Sequence, residues 1–189
     1  MTASDRTKQR LADTLKAMTV SVPLSRIRVG ELCTLCRVDR RTFYYHFRDV
    51  YDLTAWIFDQ TVDDCIPLLK DGPGERGLLV ALRRIWADEV FYSRALAEDS
   101  QNALGRYFLK HSVDLLTDAL QKVTGHEKLS EEERFAIGYH CFGALGMIRR
   151  WLFYDRQRSP EEMAELLMGC TPQLLRCIFE PDEGKGEAT

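Results

Sequence analysis

The sequence has no apolar run long enough to cross a bilayer. Its longest nearly apolar stretch, Phe135 to Ile148, is interrupted by Tyr139 and His140 and falls short of the roughly 20 residues that a membrane-spanning helix needs. The segment from Met1 to Lys16 is polar and studded with charge, unlike a secretory signal. With 45% hydrophobic and 29% charged residues in 189, the composition is that of a soluble globular protein. A cytoplasmic location and no membrane partner are expected.

Motifs for metal, redox or catalytic chemistry are missing as well. Of the six cysteines (33, 36, 65, 141, 170 and 177), only Cys33 and Cys36 form a CxxC, and no second CxxC or CxxH pair follows at zinc-finger spacing. The strand-helix unit of a thioredoxin-like redox pair is lacking too. Two small buried thiols on a helix are the expected reading. There is no glycine-rich phosphate loop, no GxSxG and no HExxH. The histidines at 46, 111, 126 and 140 include no i, i+4 pair. His140, Trp56, Trp86 and Trp151 read as core side chains. No enzyme, cofactor or metal site is expected.

Charge, by contrast, is unevenly placed. Residues 1–50 carry ten Lys or Arg against five acids, a net of +5, whereas the remainder holds 16 against 24, a net of −8. A basic end on an acidic body suits a protein whose first segment alone meets a polyanion.

Every strong periodicity is helical. Leu11, Leu15, Met18 and Val22 mark a first amphipathic helix ending before Pro23, and Ile27, Val29 and Leu32 lead into a short second helix reaching about Cys36. Asp39 is a good N-cap for a third, and a longer fourth starts near Asp49 with Leu53, Trp56, Ile57 and Ile66, stopping near Asp71-Gly72-Pro73-Gly74. Further helices follow around Leu78, Leu82 and Ile85, from Phe91 to Leu96, and through Leu104, Phe108, His111, Leu115, Ala119 and Val123. Ser130 with Glu133, and Ser159 with Pro160 and Glu162, are capping boxes opening two more. The tail from Pro181 should be disordered. The expected fold is all-α with about nine helices, divided into residues 1–48, 49–180 and a tail of 181–189.

From Phe135 to Phe153 the apolar residues surround the helix axis and need cover on both sides. Gly138, Gly143 and Gly146 suggest close approach of another backbone. With the last helix, this one can build a two-fold four-helix interface through Gly143, Gly146, Met147, Trp151, Met163, Leu167 and Leu174. A central place in a monomer is the alternative.

On a helical wheel at about 100° per residue, Phe43 and Phe47 fall within about 40° of each other and face inward. Arg41 and Tyr45 lie opposite, flanked by Thr42 and His46 on one edge and by Arg40 and Tyr44 on the other. Such a face suits a DNA major groove, since Arg can take a guanine edge with two hydrogen bonds and Thr or Tyr can touch a thymine methyl.

The segment RIRVGELCTLCRVDRRTFYYHFRDVYDL, residues 26–53, resembles the helix-turn-helix of TetR-type regulators. Ile27, Val29, Glu31, Leu32, Val38, Thr42, Phe43, Tyr44, His46, Phe47 and Arg48 match the family pattern, and the likeness extends over about residues 7–58. The form YYHFRDVYDL is closest to the subset similar to regulators of dihydroxyacetone kinase genes. The resemblance implies a three-helix DNA-binding domain followed by a helical dimerisation and effector domain. The implied protein is a homodimeric transcription factor, repressor or activator, on a roughly palindromic double-stranded operator. Arg40, Thr42 and Tyr45 then approach base edges with Arg41 beside them, while Tyr44, His46 and Arg48 hold phosphates. Arg37 stands where the family usually has Gly, Arg28 where Thr or Ser is usual, and Val50 where many members carry Lys. Arg28 and Arg37 are added as further phosphate candidates.

The resemblance also implies an effector that changes the spacing of the two recognition helices through the fourth helix. Phe58, Trp86, Phe108, Tyr139 and Phe142 are the pocket candidates. Two alternatives remain at this level. The effector can be a protein docking on the acidic body, or Cys33 and Cys36 can form a thiol or metal sensor.

Overall fold

The computed structural model describes residues 2–62, 65, 74–97 and 104–179. Ten α-helices and two short 3-10 turns occur among the described residues, with no strand. The expected break at residues 71–73, Ile66 and the tail from Pro181 lie outside them. No helix among them is long and apolar enough to cross a membrane. The chain divides into two compact units, Met1–Gln60 with Asp88–Tyr107, and Thr61–Ala87 with Phe108–Thr189. The first unit is therefore larger than residues 1–48, because a later segment of the chain returns to it.

In the first unit, α1 (Ala3–Thr19), α2 (Val29–Leu35), α3 (Arg40–His46) and the greater part of α4 (Val50–Val62) are joined by α6 (Glu89–Ala97). The helix α1 packs on α2 and on α6, and α2 packs on α3. Leu11, Leu15, Leu32, Phe43 and Leu53 are wholly buried, and Phe91, Tyr92, Ala95 and Leu96 of α6 are enclosed with them. At roughly 25 cal/mol per Å² of apolar surface, each such Leu or Phe stabilises the unit by about 2–3 kcal/mol. A half-buried ion pair from Lys16 to Asp88 ties α1 to the residue before α6. The Tyr107 hydroxyl donates to the Asp59 carboxylate at 2.8 Å, with its ring edge-on to Phe58.

In the second unit, α5 (Gly74–Ala87) lies along α9 (Pro160–Gly169), while α7 (Leu104–Thr124, from Phe108 onward) and α8 (Glu131–Tyr154) share a core closed by α10 (Arg176–Phe179). Leu116, Leu120, Ile137, Cys141, Leu175 and Phe179 fill that core. Trp86 stacks on Trp151 with ring centroids 4.7 Å apart, and the Trp151 indole N–H donates to the Arg158 carbonyl at 2.8 Å. Both capping boxes form as the sequence suggests. Ser130 and Ser159 accept from the backbone N–H three residues on, and Glu133 and Glu162 return the bond. The long α7 buries Leu116, Ala119 and Leu120, whereas Val123, expected on the same stripe, is exposed in its last turn.

Candidate nucleic-acid interface

The turn between α2 and α3 is built from local signals. Cys36 closes α2, Arg37 takes a left-handed conformation at φ +53, and the Val38 N–H donates to the Cys33 carbonyl at 2.9 Å. Positive φ is costly for a side chain with a Cβ, so glycine suits this position better than Arg37 does. Asp39 then opens α3 by accepting the Arg41 N–H at 2.8 Å. After α3, Asp49 accepts the Asp52 N–H at 2.8 Å and so caps α4, while Asp52 accepts the Arg48 N–H at 2.9 Å.

Two aromatic anchors hold α3 in place. Phe43 is wholly buried and Phe47 nearly so, their ring centroids 5.9 Å apart, with Trp56 of α4 a further 5.8 Å from Phe47. The opposite face stays in solvent: Arg40, Arg41, Tyr44 and Tyr45 are exposed, and Thr42 and His46 half-buried. Tyr45, edge-on to His46 at 5.0 Å, still keeps 83% of its surface in water, an unusual expense for an aromatic side chain. Arg28 before α2, Arg37 in the turn and Arg48 before α4 are exposed too. Among the described residues, Arg48 alone of these cations forms a side-chain ion pair, with Asp52 at 3.4 Å. Val50 is buried and carries no charge to this surface.

Two further features escape a reading of the sequence alone. Lys8 of α1 comes to 5.9 Å from the Trp56 ring centroid. Burial first, and then the Lys8 charge, hold the His46 pKa below its ordinary value. The Arg40 guanidinium also lies against the bare Cα of Gly30. A Cβ there would stand 2.8 Å from Cζ and 3.0 Å from Nε, and would overlap Nη2. Both are contacts between separate helices, which no local pattern encodes.

Cys33 and Cys36 are buried, the Cys36 thiol facing the Cys33 carbonyl at 3.6 Å. Burial raises both thiol pKa values, which opposes the thiolate form that metal binding and oxidation need. No group of three or more metal-ligating side chains occurs among the described residues.

The later helices distribute their candidates differently from expectation. Trp151, Met163 and Leu167 are buried within the second unit, so they are core rather than surface for a partner. The α8 face that remains open carries Phe135, Tyr139, Phe142, Gly143, Gly146, Met147 and Tyr154. Leu166 and Leu174 are exposed as well. A Cβ on Gly138, Gly143 or Gly146 would meet nothing within 4 Å among the described residues. Tyr139 and Phe142, expected in a pocket, are 70% and 65% exposed on this face. Of the other pocket candidates, Phe58 is buried in the first unit, while Trp86 and Phe108 belong to the second and are half-buried.

Comparison with known proteins agrees with this geometry. The protein is 27% identical over 150 residues to the HTH-type dhaKLM operon transcriptional activator DhaS of Lactococcus lactis subsp. lactis (strain IL1403), covering 76% of this chain and 78% of that one. It shares its fold with a solved structure of the dihydroxyacetone kinase operon activator DhaS, at a TM-score of 0.63 and 22% identity, over 92% of this chain and 96% of the other. Residues 75–172 match the TetR-type family described as "Transcriptional regulator C-terminal region". A helix-turn-helix unit ahead of that region completes the pattern, and the chain belongs to the TetR family of transcriptional regulators.

Proposed function

We propose that the protein acts as a homodimer that binds a roughly palindromic double-stranded DNA operator through α3. The observation that carries this reading is the division of α3 into two faces. Phe43 and Phe47 lock it to the unit, while Arg41, Thr42 and Tyr45 stand free to meet base edges. Tyr44, His46, Arg48, Arg28 and Arg37 surround them as phosphate contacts. The net charge of +5 on residues 1–50 supports the same polarity.

Dimerisation is supported by the open side of α8. A run of Phe135, Tyr139, Phe142 and Met147 exposed along one helix is costly in water and suits a second copy, with Leu166 and Leu174 as further exposed apolar positions. Phe135, Tyr139 and Phe142 therefore take the place of Trp151, Met163 and Leu167 in the proposed seam. An effector, a small molecule or a protein, then changes the separation of the two α3 helices. Both named relatives are operon activators, which favours activation here.

Selection from random double-stranded DNA tests the reading. The expected product is an inverted repeat with half-sites about one helical turn apart, or a multiple of it. Recovery of no common sequence would refute it.

A further inference from the structure

We propose that Gly30 determines how Arg40 is used: the bare Cα in the first turn of α2 seats the Arg40 guanidinium on α2, where it grips a DNA phosphate instead of reading a base. The inference rests on the DNA-binding reading above and gives Arg40, expected from the sequence at a base edge, a different role within it.

Helix geometry places Arg40 away from the reading face. At about 100° per residue, Arg41 and Tyr45 lie about 40° apart, and Arg40 lies about 120° from their common direction. It is only about 60° from Phe43, the buried anchor that faces the rest of the unit. The first residue of α3 is thus turned toward α2, and Gly30 is where it arrives. Nε, Cζ and Nη2 all fall within the space that a Cβ on Gly30 would claim. Any residue other than glycine at position 30 forces the guanidinium to shift from this seat.

The seat leaves the charge unspent. Arg40 is exposed and has no side-chain ion pair or hydrogen bond among the described residues, although Glu31 lies beside Gly30 in the chain. Arg28, two residues before Gly30, is likewise exposed and has no ion pair among the described residues. Two unneutralised guanidiniums at one end of α2 match a phosphate, which takes Arg bidentately and carries no sequence information.

The test uses wild type, Gly30→Ala, Arg40→Ala and the double variant. Each is titrated over a salt series against the selected operator and a panel of its single-base variants. Arg40→Ala should weaken binding by about tenfold on every sequence alike and lower the salt slope by about one. Gly30→Ala should do the same in kind, and the double variant should bind no worse than Arg40→Ala. Thermal unfolding separates this from damage to the fold, because Ala favours a helix over Gly and should leave the melting temperature unchanged or raised. A relaxed preference at one base pair with an unchanged salt slope in Arg40→Ala would show a base reader and overturn the proposal. So would a Gly30→Ala loss of equal size with and without Arg40. A wild type that selects no DNA sequence removes the parent reading, and the proposal with it.

Discussion

Arg37 and His46 show how single residues set the properties of the DNA-facing surface. Arg37 holds φ +53 where glycine would rest without strain. Arg37→Gly should therefore raise unfolding stability by about 1 kcal/mol in urea titrations. The same change should lower operator affinity and the salt slope, if the guanidinium meets a phosphate as proposed; an unchanged slope would leave Arg37 as a turn residue only. His46 works through protonation. Its folded-state pKa lies below the ordinary value, so the unfolded chain binds more protons as pH falls. The stability it contributes is complete above pH ~6.5 and is lost as pH drops through its folded-state value. A phosphate beside it acts in the opposite sense by favouring the cation. Operator affinity should then rise as pH falls from 7.5 toward 6, and His46→Gln should flatten that rise.

At the scale of the helix, the sequence announces what is local and hides what is not. Asp39 before α3, and Ser130 and Ser159 before α8 and α9, can be read directly, because a cap involves residues only two or three apart. Ser130→Ala should cost about 1 kcal/mol in chemical denaturation. The two faces of α3 are also legible, since helical period alone puts Phe43 and Phe47 opposite Arg41 and Tyr45. Phe43→Ala, which empties a fully enclosed site, should cost about 3–5 kcal/mol and remove the cooperative melt of the first unit. The sides of α8 are not legible in this way. Its apolar residues surround the axis, so period does not say which of Trp151 and Phe142 the chain itself covers. Only tertiary packing decides, and it takes Trp151 onto Trp86 and leaves Phe142 in water. Lys8 near His46, and Arg40 on Gly30, escape sequence reading for the same reason.

In the whole molecule, a basic N-terminal segment is followed by a helical region whose open α8 face suits a second copy. Phe142→Glu should leave the chain folded, because the side chain touches solvent already, yet reduce the sedimenting species to half the wild-type mass at micromolar concentration. A monomeric wild type would remove the proposed seam. The central claim, that α3 reads sequence, is tested most directly by fluorescence anisotropy of the full chain on the selected operator and on scrambled DNA. Arg41→Ala is measured beside wild type, across a salt series. The account predicts tight binding to the operator that falls steeply with salt, weak binding to the scramble, and an Arg41→Ala protein that loses preference between the two. Equal affinity of wild type for both DNAs would contradict it.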